Sequence, residues 1–311
     1  MVIKCVHSCK EKGQSNDCKE DLIHERQISD GGCNASVFLS KIQGKSCIAK
    51  LYSYEDEDWD KEQDFLDNFL EICETLYNLK DSPSIIHAIG VVITEKTENI
   101  QMYLLTEDKH AQDVYSYIQD YCHWKRSLYR NGKYIPSYDI PYYSYDYNKD
   151  ICWYYTKDQS EKLQLIRSIV QSIKELHDQN YIHLDIKLHN LVITDNQEVY
   201  LIDYDSITNL EKEKSCSLYW RCGTTGYCTD EQWECKASKK TDIYSLGVCM
   251  AEVWAGEIWL DDSRSKQRYR NQLLSCIRII EKEQPKLGKL IRKCVSPQEK
   301  DRYTIDHVSN I

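Results

Sequence analysis

Between residues 181 and 205 the sequence sets two acids, a lysine and a carboxamide among short apolar segments: Asp185, Lys187 and Asn190, then Asp203. Phosphoryl transfer needs such a set, because metal ions must neutralise the charge of a triphosphate while a carboxylate orients the attacking hydroxyl. In that chemistry Asp185 would be the orienting carboxylate or base, and Lys187 would stabilise the transferring phosphoryl group. Asn190 and Asp203 would hold metal ions through hard oxygen ligands. The plainer reading of the same residues is a buried polar network without chemistry.

The elements that would position this set fall into two compositions. Segments of β-type composition come first: Leu22 to Ser29, Ser36 to Lys41 and Lys45 to Leu51, then Ala88 to Thr94 and Ile100 to Thr106. Between them Phe65, Phe69, Ile72, Leu76 and Leu79 recur at steps of four and three, which predicts an amphipathic helix ended by Asp81, Ser82 and Pro83. Beyond about residue 110 the pattern turns helical, with candidates at Ser160 to Asp178, Lys240 to Ala255 and Arg270 to Lys282. Half of the 24 tyrosines lie between Tyr115 and Tyr155, with Trp124, Trp153, Lys125, Arg126, Arg130 and Lys133 among them. That stretch reads as an insertion, either folded onto its own helical part or docking a protein partner.

The set at 181–205 resembles the catalytic loop and metal-binding segment of the eukaryotic-type protein kinase family, serine/threonine-like and divergent. Other elements of that family follow in the same order. Cys47, Ile48, Ala49 and Lys50 stand where the family's third strand carries the lysine for the ATP α- and β-phosphates. Met102 to Glu107 resembles the fifth strand leading into the hinge, with Thr106 as gatekeeper. Gly223, Thr224 and Tyr227, then Glu231, are similar to the end of an activation segment, and Asp242 to Val248 to the buried central helix. In the family Arg302 would pair with Glu231, Asp242 would anchor the catalytic-loop backbone, and His183 would be packed as core. His189 is read as a loop residue rather than a metal ligand.

The resemblance implies an α+β, bilobal protein-kinase-like fold, with a small antiparallel β-sheet N-lobe and a mainly helical C-lobe. It assigns a polar leader to 1–21, the N-lobe to 22–107, the hinge to 108–112 and the C-lobe to 113–311, with the tyrosine-rich insertion at 124–156. ATP with Mg²⁺, or Mn²⁺, would bind at the junction. Gly32, Val37, Ile48 and Lys50 would contact the nucleotide from the N-lobe. Glu107 and Lys109 would do so from the hinge, and Asp113, on the ribose, and Val192 from the C-lobe. The glutamate paired with Lys50 stays open between Glu62 and Glu71: the first fits the local apolar pattern, the second the distance to the Ser82–Pro83 turn. The implied activity is transfer of the ATP γ-phosphate to Ser or Thr hydroxyls of protein substrates. Two alternatives remain: a pseudokinase scaffold that binds partners without catalysis, and a small-molecule phosphotransferase of the aminoglycoside or choline type, which also carries an Ile-Asp-x-Asp run.

Departures from the family pattern carry mechanistic content. Asp30 and Ala35 stand where the glycine-rich loop has glycines, so that only Gly32 is kept. Leu184 replaces the arginine that precedes the catalytic aspartate and receives a phosphorylated activation loop, so loop phosphorylation is expected to be dispensable. Asp205 replaces the glycine after Asp203 and Tyr204.

Composition excludes other classes. Glycine and proline together make about 5% of the chain, below the roughly 12% of average proteins, against collagen-like or low-complexity disorder. The net charge of −10 argues against nucleic-acid binding. The longest apolar stretch, Tyr244 to Leu260, is short for a bilayer span and carries Glu252 and Glu257. No secretory signal is read at the start, so the expected location is cytoplasmic. In a reducing compartment the 15 cysteines read as free thiols. Zinc is the weaker reading for Cys5, Cys9, Cys18 and His24, and for Cys216, Cys222, Cys228 and Cys235.

Overall fold

The structure, a computed structural model, describes residues 2–3, 22–29, 35–54, 59–96, 99–118, 158–210, 215–218, 221–255 and 266–311. Gly32, Asp30, Cys5, Cys9, Cys18 and the insertion at 124–156 lie outside those residues. The chain divides into two compact units, Met1–His110 and Ala111–Ile311.

The first unit is built on a six-stranded sheet. Its strands are β1 (Val2–Ile3), β2 (Ile23–Ser29), β3 (Ala35–Ile42), β4 (Lys45–Tyr54), β5 (Ala88–Lys96) and β6 (Asn99–Glu107), with helix α1 (Trp59–Asn78) between β4 and β5. The spatial order is β1-β5-β6-β4-β3-β2, antiparallel throughout except where β1 runs parallel to β5. The short edge strand falls inside the stretch read from sequence as a polar leader: Val2 and Ile3 are two apolar residues in it, too few to signal a strand. Alternation along β4 sends Cys47 and Ala49 to one face, where they form a buried cluster with Val92 and Leu105, flanked by Phe38 and Tyr103. The opposite face carries Tyr52, whose ring meets Phe69 of α1 edge-on at 5.2 Å. The periodic stripe of α1 is the buried one, with Phe69, Ile72 and Leu76 at 8% exposure or less.

The second unit is mainly helical. Its elements run β7 (Gln112–Asp113), α2 (Gln159–Asp178), β8 (Tyr181–Ile182), β9 (Leu191–Ile193), β10 (Val199–Leu201), β11 (Thr208–Asn209), β12 (Ser215–Ser217), α3 (Asp230–Trp233), β13 (Lys236–Ser238), α4 (Lys239–Ala255), α5 (Lys266–Glu283), α6 (Pro285–Cys294) and α7 (Ile305–Val308). A capping box starts α2: Asp158 accepts from the N–H groups of Ser160 and Glu161, and Glu161 accepts from the Asp158 N–H. Helix α4 is buried nearly all round, as a core helix must be. At Gly247 a Cβ would lie 2.7 Å from the Cys294 side chain, so glycine there lets α6 close on α4. The structure extends the predicted helices slightly, α5 most, because its first turn, from Lys266, is polar and gives no apolar repeat.

Two antiparallel ribbons brace the loop that holds the acids. Strands β7, β9 and β10 form one three-stranded sheet, and β8 pairs with β11. The 181–205 segment therefore leaves and re-enters regular structure on both sides, which fixes its ends.

Candidate active site

In the first unit, cross-strand register gathers several predicted nucleotide contacts on one sheet face. Val37 lies directly opposite Lys50, Lys50 opposite Leu104, and Ile48 opposite Thr106. Directly opposed residues share a face and so do residues two apart, so Val37, Ile48, Lys50 and Thr106 line the same surface. The Lys50 Nζ lies 5.2 Å from the centroid of the Tyr52 ring. Glu107 stands opposite Cys47, on the other face, and its carboxylate is 2.7 Å from the Lys109 Nζ.

The two glutamates considered for Lys50 are nine residues apart on α1, half a turn out of phase. By helical phase Glu62, two turns before Phe69, shares the face of α1 that Phe69 occupies. Glu71 falls on the opposite side and is exposed.

In the second unit Asp185, Lys187 and Asn190 meet. The Asp185 carboxylate is enclosed by three donors: the Thr224 hydroxyl donates to Oδ1 at 2.6 Å, and the Lys187 Nζ and Asn190 Nδ2 donate to Oδ2 at 2.8 and 3.0 Å. Lys187 also reaches the Thr224 hydroxyl at 3.0 Å. Asn190 Nδ2 donates a second bond, to the Asp185 carbonyl at 2.9 Å. With both amide hydrogens directed at Asp185, the Asn190 Oδ1 faces away as a hard oxygen donor. The Ile202 N–H donates to the Asn190 carbonyl at 3.0 Å, tying the segment that carries Asp203 to the loop that carries Asn190. Asp203 takes φ +66°, the left-handed region where a side chain is rarely tolerated. An amide oxygen and a carboxylate on bonded neighbouring segments suit a hard divalent cation, so the donor set fits Mg²⁺. Asp113 and Val192 are opposite one another across β7 and β9, and one Asp113 oxygen accepts the Ser116 N–H at 2.8 Å, capping the helical turn at 114–118.

Behind this set lies a buried scaffold. Asp242, fully buried in the first turn of α4, accepts the His183 N–H at 2.8 Å and the Leu184 N–H at 2.9 Å. Its carboxylate also lies 2.9 Å from the His177 Nε2, a partner that no spacing rule in the sequence announces. His183 is itself fully buried, its Nε2 3.0 Å from the Ile202 carbonyl, so it is core and not a base. Cys216, Cys222, Cys228 and Cys235 are free thiols and partly buried; burial raises the Cys222 thiol above its ordinary pKa. Among the described residues no cluster of three or more His, Cys, Asp or Glu side chains is arranged to hold a metal.

A sequence profile of the protein kinase domain matches residues 24–311. The chain belongs to the protein kinase family. Maternal embryonic leucine zipper kinase of Xenopus laevis is 27% identical over 154 residues, 49% of this chain and 24% of that protein. LRR receptor-like serine/threonine-protein kinase FEI 2 of Arabidopsis thaliana is 28% identical over 171 residues, 49% of this chain and 29% of that protein. The liver/testis isoform of the phosphorylase b kinase gamma catalytic chain of Bos taurus is 30% identical over 106 residues, 32% of this chain and 25% of that protein. The matched part of the chain thus spans only about a quarter of the length of each of these curated relatives.

Within this kinase domain Arg302 is the buried partner of Glu231. Its side chain is 1% exposed, its Nη2 donates to Glu231 at 3.2 Å, and its Nη1 bonds the second carboxylate oxygen. Burial pushes the Glu231 pKa up, but the hydrogen bond and charge of Arg302 outweigh it and hold the carboxyl below its ordinary value. A depressed carboxyl stabilises the fold above the unfolded pKa of about 4.3, and that contribution is lost as pH falls through the lower folded value. Glu231→Gln is therefore expected to lower the melting temperature at pH 7 and to flatten its fall on the acid side. Parallel melting curves for the two proteins from pH 7 to pH 3 would rule this linkage out.

Proposed function

We propose that the chain is an ATP- and Mg²⁺-dependent protein kinase that transfers the γ-phosphate to Ser or Thr hydroxyls of protein substrates. The observation that carries this reading is the Asp185 carboxylate, partly accessible and oriented by Thr224, Lys187 and Asn190. An acceptor hydroxyl bound beside Asp185 would donate its hydrogen bond to that carboxylate and lose its proton there as the new oxygen–phosphorus bond forms. The bond from the γ-phosphorus to the β,γ-bridging oxygen breaks, and ADP leaves with that oxygen. Lys187 would offset the charge on the transferring group, its Nζ held in place by its bonds to the Asp185 carboxylate and the Thr224 hydroxyl. Lys50 would hold the α- and β-phosphate oxygens, with Glu62 rather than Glu71 as its partner. Val37, Ile48 and Val192 would flank the adenine, the backbone of Glu107 and Lys109 would bond its edge, and Asp113 the ribose. When bound by Asn190 and Asp203, Mg²⁺ supplies neutralisation of the triphosphate charge.

The domain boundaries proposed with this reading are the N-lobe at 22–107, the hinge at 108–112 and the C-lobe at 113–311. The Lys187 bridge between Asp185 and Thr224 supports Ser or Thr as acceptor. The test is radiolabel transfer from γ-labelled ATP to protein, with Asp203→Ala beside the wild type. Transfer by the wild type and loss in the variant is the expected result. Transfer by neither protein would favour a scaffold without chemistry, and transfer to an aminoglycoside or to choline alone would favour a small-molecule phosphotransferase.

A further inference from the structure

Gln232 has a role that neither the motif pattern nor the resemblance gives it. It sits in the one-turn helix α3, started by a Thr229 cap whose hydroxyl accepts the Gln232 N–H at 3.3 Å, and it is fully buried. Its Nε2 donates to the Leu184 carbonyl at 2.6 Å and to the Cys222 carbonyl at 3.0 Å. A carboxamide nitrogen has two hydrogens, and here each goes to a backbone carbonyl of a different segment. Those acceptors also fix the orientation of the amide, since turning it over would set its oxygen against two carbonyl oxygens. The Oε1 is left buried without a hydrogen-bond partner. A side chain retained only to fill core volume would be apolar, because an acceptor buried without a partner loses its bonds to water and gains none in return. The amide is placed for its two donors.

Both bonded segments lead straight into the reacting set. Leu184 precedes Asp185, and Cys222 and Gly223 precede Thr224, which donates to Asp185. Leu184 takes φ +67°, a strained conformation for a branched side chain, and is pinned from both sides: Asp242 holds its N–H and Gln232 its carbonyl. Gly223, at φ +98°, leaves the space that the amide needs, for a Cβ there would lie 2.4 Å from the Gln232 Nε2 and 3.0 Å from the Leu184 carbonyl oxygen.

We infer that Gln232 is a positioning residue: its carboxamide ties the end of the activation segment to the catalytic loop and so sets the distance between Thr224 and Asp185. This rests on the kinase reading above and adds its regulation. The tie is neutral, internal and always present, so the site is assembled without a phosphate on the activation segment, consistent with Leu184 standing where a phosphate-binding arginine would be needed.

The test uses the full chain carrying Gln232→Leu, and separately Gly223→Ala, which obstructs the amide without removing it. Amide hydrogen exchange is followed at 184–187 and 221–224, alongside transfer kinetics and melting. Faster exchange confined to both segments in each variant is expected, with kcat per folded molecule lower on the order of 100-fold, the cost of a misplacement of about 1 Å, and KM for ATP within about twofold. Phosphatase treatment of the wild type should leave its rate unchanged. Unaltered exchange in both segments overturns the inference. So does activity that merely follows the folded fraction, or a large loss of wild-type rate after phosphatase. A wild type without transfer activity would sink the kinase reading, while the exchange data still decide the tie.

Discussion

Asp185→Asn is expected to lower the rate of phosphoryl transfer by about a thousandfold while leaving the melting temperature within a few degrees of the wild type. The Asp185 and Lys187 side chains are 17% and 22% exposed, so water reaches both and can solvate the Lys187 ammonium once the carboxylate is gone. The asparagine oxygen can still accept the Thr224 hydroxyl, so the end of the activation segment stays in register. What is lost, on the proposed reading, is the proton acceptor and the charge that aligns Lys187. Its new amide N–H₂ faces the donors of Lys187 and Asn190, and neither can bond to it. The measurement is steady-state transfer beside a melting curve for the same preparation. A variant that keeps more than a tenth of the wild-type rate would remove Asp185 from the role of base. One that loses activity together with its fold would make the residue structural.

How far the sequence reveals this site depends on the kind of contact. Asp185, Lys187 and Asn190 are legible because one short loop must bring them together: spacings of two and five residues leave little freedom once β8 and β9 fix the loop's ends. The sheet face with Val37, Ile48 and Lys50 is legible for a similar reason, since strand alternation and hairpin register are set by local turns. Arg302 and Glu231 lie 71 residues apart, and only the family resemblance points to their pairing. Gln232 was missed altogether. An amide beside Glu231 in a polar stretch gives no sign of burial, and the carbonyls that it joins belong to segments 38 residues apart. The pairing of His177 with Asp242 was missed because it depends on how α2 crosses α4, which neither helix's apolar stripe specifies. In α1 the choice between Glu62 and Glu71 stayed open in sequence, because the apolar pattern points to the first and the distance to the Ser82–Pro83 turn to the second.

Asp242→Ala is expected to destabilise the second unit strongly, lowering the melting temperature by roughly 10 °C. The carboxylate is fully buried and collects three contacts, from the N–H groups of His183 and Leu184 and from the imidazole of His177. Alanine removes all of its acceptor oxygens at once and leaves the donors buried, a loss of the order of 3–5 kcal/mol, which for a domain of this size is several to many degrees of melting temperature. The effect is not spread evenly over the fold. The N–H of Leu184 is one of the two anchors of a residue at positive φ, so its release lets the loop relax out of the left-handed conformation and carries Asp185 with it. Hydrogen exchange at His183 and Leu184 should therefore accelerate more than exchange in α2 or α6. A melting temperature within 2 °C of the wild type, or equal acceleration throughout the unit, would mean that the catalytic loop is held by its flanking strands and that the carboxylate is incidental.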